Sequence, residues 1–309
     1  MTAHAAETGT FSHPALFYRG RDEYLAGTVP FVLDGLAAGE PVAVAVPSGN
    51  LDLIKAELGA AADSVHFVDM ASAGVNPGRI LPGVLLAFAD QHQGPVRLIG
   101  EPIWPDRSDL EYPACAQHEA LINHAFAGRT ATVLCPYDAA SLTADVLEDA
   151  EVTHPELIGA DGSTTSVSYD PDRIIKQYNF VLDRPGDAPT SAFDLSGLRV
   201  VRSFAVDRGI ELGVRGELLD DLALIVAELS ANSVVHGGGT GALWIWREGD
   251  YVVCEIEDKG HIADPLVGRI PAPPDQLGGR GLLMVNQIAD LVRVYSEPGS
   301  TTVRTYLRV

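Results

Sequence analysis

Residues 228–239 read Glu-Leu-Ser-Ala-Asn-Ser-Val-Val-His-Gly-Gly-Gly. They close a longer stretch, 214–235, whose apolar row runs Leu218, Leu222, Ile225, Leu229 and is continued by Ser233. That spacing has the period of a helix with one buried face. Gly237, Gly238 and Gly239 end it. Glu228 and Asn232 stand four residues apart, so they share a face. A carboxylate and an amide aimed at one point suit a phosphate-bound Mg²⁺, which takes hard oxygen ligands and keeps several waters. Glu228 is then placed to act as general base on an attacking hydroxyl. A solvated polar face is the plainer reading of the same pair.

Downstream, 242–248 and 251–257 alternate apolar and polar residues around Gly249-Asp250, a hairpin signal. The second strand ends in Asp258-Lys259-Gly260. An acceptor carboxylate followed by a glycine lets a flat ring approach the backbone, although the same pair also makes ordinary turns. Residues 262–277 read as an irregular, Pro-rich loop. Gly278-Gly279-Arg280-Gly281 then opens a helix over 281–290, and glycine-rich backbone at a helix N-terminus offers free N–H groups to phosphate. Strands at 291–296 and 301–308 close the chain, and a helix over 194–209 precedes the long one, capped by Asp194 or Ser196. Two or three helices on an antiparallel sheet make an α/β two-layer sandwich.

Taken in this order and spacing, residues 191–309 resemble the Bergerat-type (GHKL) ATPase domain shared by histidine kinases, gyrase, Hsp90 and MutL. Within that group they are most similar to anti-sigma-factor serine kinases of the RsbW and SpoIIAB kind. The stretches that carry the likeness are ELSANSVVHGG (228–238), GGRGLLMVNQIAD (278–290) and PGSTTVRTYL (298–307). The resemblance implies ATP and Mg²⁺ as cofactors. Asn232 would coordinate the Mg²⁺, Glu228 would act as base, and Asp258 would bind the adenine amino group with Thr302 beside it. Gly260 would keep the ring pocket open, while Gly279, Arg280 and Gly281 would hold the lid hinge and phosphates. Two positions depart from the pattern: Ile262 stands where a second glycine is frequent, and Ser300 where a glycine is common. His236, at the end of the long helix, reads as a residue interacting with the helix dipole.

The first half has a different pattern. Strands at 14–18, 41–47, 64–69, 96–100 and 131–136 alternate with helices at 22–38, 50–58, 79–93, 111–127 and 140–150. This alternation predicts a mostly parallel sheet covered by helices on both faces. Residues 13–158 resemble the MEDS sensory domain through HPALFYRGRDEYLAGTVPFVLDGLAAGEPVAVAVP (13–47), RLIGEPIW (97–104), HEALIN (118–123) and LCPYDAASL (134–142). The resemblance implies a RecA-like α/β fold without a nucleotide loop. Only Pro47-Ser48-Gly49-Asn50 follows the second strand, too short for a P-loop and lacking its lysine. Candidate residues for an unknown small-molecule ligand are His13, Tyr18, Arg97, Glu101, Trp104, Glu119 and Tyr137. Glu101 and Trp104 follow a strand C-terminus, where open α/β sheets place their sites. A scaffold or dimer surface is the plainer reading.

His118-Glu119 makes no zincin motif, since Ile122 occupies the fourth position after His118. It also lies in strand–helix alternation rather than in the helical hairpin of a phosphoacceptor. Residues 1–12 read as a disordered leader and 159–190 as a linker, the latter rich in turn formers with Pro185, Gly186 and Pro189 near its end.

The net charge of −21 divides as −14 over 1–158, −2 over 159–190 and −5 over 191–309, so no region is basic. That argues against nucleic acid and against an anionic membrane surface as partners. No apolar run is long enough to span a bilayer, and no signal peptide is evident near the start. Cys115, Cys135 and Cys254 are widely spaced and odd in number, which suggests reduced structural thiols in a cytoplasmic protein. The combined expectation is a cytoplasmic regulatory kinase. It would phosphorylate a Ser or Thr of a STAS-type anti-anti-sigma protein, hold a sigma factor in the other partner state, and possess dimers of the kind usual in the resembled kinases. A nucleotide-binding adaptor without phosphate transfer and a sensor histidine kinase are the alternatives.

Overall fold

The computed structural model describes residues 10–271 and 279–309. The chain divides into two compact units, residues 1–175 and 176–309. Residues 1–9 of the expected leader, residues 272–277 of the Pro-rich loop and Gly278 lie outside the described residues.

Unit one is built on an eight-stranded sheet. Its strands are β1 (Phe11–Ser12), β2 (Pro14–Tyr18), β3 (Val42–Val46), β4 (Val65–Asp69), β5 (Val96–Gly100), β6 (Ala131–Asp138), β7 (Glu156–Gly159) and β8 (Gly162–Thr165). The spatial order is β4-β3-β5-β6-β2-β7-β8, with β1 also paired to β6. Every pairing is parallel except β7 with β8. The helices are α1 (Gly20–Ala37), α2 (Ser48–Leu58), α3 (Met70–Ala73), α4 (Pro77–Ile80), α5 (Leu86–Ala89), α6 (Tyr112–Ala125), α7 (Ala144–Thr153) and α8 (Pro171–Gln177). β3 is buried along its whole length, as a central parallel strand with both faces covered must be. Side chains of β6 alternate: Leu134 joins the core under α1 and α2, while Cys135 and Tyr137 point to the other face.

Three expectations need correction. Residues 11 and 12, read as disordered leader, form β1 and pair with Ala131 and Thr132. The single helix expected over 79–93 is α4 and α5 joined by a π-helical turn over Leu81–Leu85 that contains Pro82. A proline has no N–H for the helical ladder, and a widened turn absorbs the missing bond. The stretch 159–190, read as linker, holds β8, α8 and Thr190, the first residue of the following strand, and the boundary between units falls at residues 175 and 176. Short polar strands such as Gly162–Thr165 carry no apolar period to reveal them.

Unit two is a five-stranded antiparallel sheet in the order β12-β13-β11-β10-β9. The strands are β9 (Thr190–Asp194), β10 (Thr240–Glu248), β11 (Tyr251–Asp258), β12 (Leu291–Glu297) and β13 (Ser300–Arg308). The helices α9 (Leu198–Leu212), α10 (Glu217–His236) and α11 (Gly281–Ile288) cover one face. Leu222, Ile225, Val226 and Leu229 of α10 meet Leu243, Ile245, Cys254, Ile256, Val303 and Leu307 of the sheet in a single core. α9 ends at Gly213, whose φ of +106° is the left-handed cap that favours glycine.

The opposite face of the sheet is covered by residues 179–184. Asn179 donates to Ser296 O at 3.0 Å and accepts from Ser296 N at 2.9 Å. The Arg184 guanidinium lies 3.5 Å from the Trp244 ring centre and donates to Glu255 Oε1 at 2.6 Å. Arg304 donates to Glu255 Oε2 at 2.6 Å and to Leu182 O at 3.0 Å. The buried Glu255 carboxylate thus sits between two guanidiniums, the geometry that offsets its loss of water.

Candidate functional site

In unit two, α10, the end of β11, the start of β13 and the glycines before α11 enclose a cavity of about 330 Å³. Apolar walls come from Leu229, Ile256, Ile262, Val267, Leu282 and Val303. Asp258 stands at its polar end. Its Oδ2 accepts from Ser233 Oγ at 2.6 Å and its Oδ1 from Gly260 N at 2.8 Å. Both contacts fix the carboxylate at the end of a strand, in a largely apolar cleft with few polar groups, the usual make-up of a small-molecule site.

The glycines of this region are required by close packing. A Cβ on Gly237 would lie 2.3 Å from Asp258 Cγ, and one on Gly260 would lie 2.9 Å from His236 O and 3.0 Å from Gly237 Cα. A Cβ on Gly281 would lie 2.6 Å from Glu228 Oε2 and 3.2 Å from Asn232 Nδ2. So α11 begins against the carboxylate and amide that the helical period had already placed together. Gly279 has φ of +80° and lines the cavity with Gly281 and Asn232. Arg280 is exposed at the N-cap of α11 and does not line the cavity.

Thr302 is a correction. β13 pairs with β11 so that Asp258 faces Thr301 and Glu257 faces Thr302. Thr301 and Val303 therefore line the cavity, while Thr302 points to the opposite face of the sheet with Arg304. Ser233, Gly237 and Thr301 are site residues that the sequence reading did not assign. Ser233 was legible only as an apolar-row position, and Thr301 depended on register. Ile262, at the departure from the family pattern, lines the cavity, and its N–H donates to Ser296 Oγ at 2.7 Å. His236 ends α10 and lines the cavity as well.

The seven N-terminal candidates do not form one site. Tyr18 and Glu101 belong to one cluster at the carboxyl ends of the strands. Glu101 is buried and accepts from Tyr24 Oη at 3.2 Å, Tyr18 Oη at 3.4 Å and Asn50 Nδ2 at 2.9 Å to each oxygen. Burial pushes its carboxyl up to about 7 even though these donors favour the ionised form. Burial likewise raises the phenols of Tyr18 and Tyr24. Asn50 comes from the first turn of α2, which starts directly after β3 where a P-loop would have stood.

His13, Glu119 and Tyr137 belong to a second cluster, together with Cys135 and His154, which the sequence did not single out. His13 Nε2 and His154 Nε2 each lie 3.3 Å from Glu119 Oε2, and Cys135 Sγ lies 3.4 Å from His13 Nε2. Tyr137 packs edge-on against His154, with ring centres 5.5 Å apart. Burial, then the neighbouring His154, pushes His13 down to about 4. Arg97 and Trp104 join neither cluster. Arg97 pairs with Glu40 at 2.5 Å and lies over the Phe31 ring, and Trp104 stacks under the Arg107 guanidinium at 3.9 Å. His118, on α6, is buried as well, at 1% exposure.

With this geometry in place, comparison with known proteins divides the chain as its structure does. Residues 12–155 match the family model of the MEDS domain, described as the methanogen/methylotroph DcmR sensory domain, and residues 192–307 match that of the histidine kinase-like ATPase domain. The chain joins a MEDS domain to a histidine kinase-like ATPase domain. No curated protein matches it. Among solved structures, it is similar to the RsbU and RsbW domains of a Mycobacterium tuberculosis protein at 21% identity and a TM-score of 0.30, covering 39% of this chain. It spans only 32% of that structure's length. A solved chain of the Acinetobacter baumannii histidine kinase AdeS is similar at 12% identity and a TM-score of 0.24, covering 65% of this chain and 96% of that solved chain. In the histidine kinase-like ATPase domain of this chain, the residues around Asp258 and Glu228 are the candidate nucleotide site. Among the described residues, no helix is long and apolar enough to cross a membrane.

Proposed function

We propose that the histidine kinase-like ATPase domain binds Mg-ATP in the α10–β11–α11 cavity and transfers its γ-phosphate to a Ser or Thr hydroxyl of a STAS-type partner. A sigma factor would occupy the domain in the other partner state, and the MEDS domain would bias the exchange. Asp258 would accept from the adenine amino group at the closed end, with Ser233 and Thr301 beside it. Asn232 would supply an oxygen to Mg²⁺ and leave its remaining positions to phosphate and water. Glu228 would take the proton of the attacking hydroxyl. Phosphoryl transfer needs positioning and charge neutralisation more than covalent chemistry, and glycine N–H groups at the start of α11 suit that role.

The observation that supports this reading is the close approach of the start of α11 to both side chains: a Cβ on Gly281 would lie 2.6 Å from Glu228 Oε2 and 3.2 Å from Asn232 Nδ2. In a serine or threonine kinase Glu228 would serve there as the base. The experiment is transfer of labelled phosphate from ATP to a co-purified STAS partner, followed by acid treatment. Acid-stable label on the partner supports the proposal. Tight ATP binding without transfer would replace it with the adaptor reading, and acid-labile label on the chain itself with the histidine kinase.

A further inference from the structure

Four electron-pair donors of the MEDS domain converge where the ATPase reading has no use for them. They are His13 Nε2 from the junction of β1 and β2, Glu119 Oε2 from α6, Cys135 Sγ from β6 and His154 Nε2 just after α7. All four atoms lie within 4.8 Å of one another, and all four residues are buried. Three of the separations are 3.3, 3.3 and 3.4 Å. A tetrahedron with ligand bonds of about 2.0–2.3 Å has edges of about 3.3–3.8 Å.

The hydrogen bonds behind the two imidazoles fix which nitrogen faces inward. His154 Nδ1 lies 2.8 Å from Ala150 O, so Nδ1 carries the proton. His13 Nδ1 lies 3.1 Å from Asn123 Oδ1. The Asn123 amide is itself oriented, because its Nδ2 donates to Thr153 O at 2.9 Å, which leaves Oδ1 to accept from His13. Both rings therefore turn Nε2 toward the Glu119 carboxylate. Neither Glu119 oxygen, nor His154 Nε2, has a hydrogen-bond partner among the described residues. An outer carbonyl or amide on each Nδ1–H is the support that metal-binding histidines have.

We propose that His13, Glu119, Cys135 and His154 form a buried tetrahedral site for one divalent transition-metal ion, with Zn²⁺ the best match to the donor set. Nitrogen, oxygen and sulfur donors in this geometry suit Zn²⁺. Charge points the same way. Two neutral imidazoles, one carboxylate and one thiolate balance a doubly charged ion, so the filled site carries no net charge into the interior. Loading breaks the Cys135 S–H bond and forms the metal–sulfur bond, releasing one proton to solvent. A narrow cleft lined by Tyr112, Glu119, Tyr137 and Asp149 adjoins the site on one side.

The test is cobalt and zinc loading of the full chain without nucleotide. After chelation and desalting, Co²⁺ titration is expected to give a tetrahedral ligand-field spectrum with a thiolate charge-transfer band. It should saturate at one equivalent and be bleached by Zn²⁺. The charge-transfer band should vanish in Cys135→Ser, Glu119→Gln should lower metal affinity by at least roughly tenfold, and Asn232→Ala should leave the titration unchanged. Where Cys135→Ser fails to fold, X-ray absorption at the zinc edge of the wild-type chain decides, with one sulfur and three nitrogen or oxygen neighbours expected. A chain that retains neither ion after desalting, or a zinc shell of light atoms only, would overturn the proposal and leave the cluster as an ion-paired His–Glu core.

Discussion

Single side chains carry the chemistry of this protein. Asp258 is held by Ser233 and Gly260 at the polar end of an apolar cavity, so its carboxylate has a fixed orientation there. Asp258→Ala should weaken Mg-ATP binding at least roughly tenfold, the worth of a hydrogen bond to a charged group at about 1.5–3 kcal/mol. Calorimetry on the purified chain checks this. Glu228→Gln should separate the two halves of the reaction: ATP binding stays while phosphate transfer falls about 100- to 10,000-fold, as expected when a general base is lost. Thr301→Val should weaken ATP binding several-fold and Thr302→Val should not, since only Thr301 lines the cavity. Equal effects from the two variants would show that the register drawn for β11 and β13 does not govern the site.

Glu101 supplies a pH dependence at the same scale. Its carboxyl is raised from 4.5 to about 7, mainly by burial. Between those values the folded chain keeps a proton that the unfolded chain releases, so stability falls as pH rises through this window. The full effect above pH 7 is about 3 kcal/mol. Melting curves of wild type and Glu101→Gln from pH 4 to 8 should therefore diverge, with the variant flatter. Parallel curves would mean that the Asn50 amide and the two phenols offset the burial completely.

At the scale of elements, the sheet of the ATPase domain depends on a face that its helices do not touch. Glu255 of β11 is 1% exposed and lies between Arg304 of β13 and Arg184 of the incoming segment. Arg304→Ala would leave a buried carboxylate with one half-exposed partner, at a cost of roughly 3–5 kcal/mol. Chemical denaturation of the variant reads that loss. Much of this architecture was legible beforehand, because helical periods in α9, α10 and α11 and alternation in β10 and β11 are local properties. β9, β8 and α8 were not legible, since Thr190–Asp194 and Gly162–Thr165 are short and polar and take their structure from the strands beside them.

For the molecule as a whole, the place where one unit ends has consequences. A fragment begun at residue 191 follows the sequence-based boundary but removes Asn179, Leu182 and Arg184 from the outer face of the sheet. That fragment should be much less stable than one begun at residue 176, and it should expose Trp244 and Trp246. Comparing the two by solubility and melting temperature checks the assignment, and equal behaviour would show that residues 176–190 add nothing to the fold.

What the sequence determined by itself was whatever depends on neighbours along the chain. Four-residue spacing on one helix puts Glu228 beside Asn232, glycines mark the start of α11, and strand–helix alternation predicts the parallel sheet. Tertiary structure decided the rest. A shift of one residue in pairing sends Thr301 rather than Thr302 into the cavity, and that register is set by distant β11. The cluster of His13, Glu119, Cys135 and His154 draws on positions spread over more than a hundred residues, with no spacing rule to announce it. Only the parallel pairing of β2 with β6, and the packing of α6 and α7 on the face that carries Cys135, bring those four donors to one point.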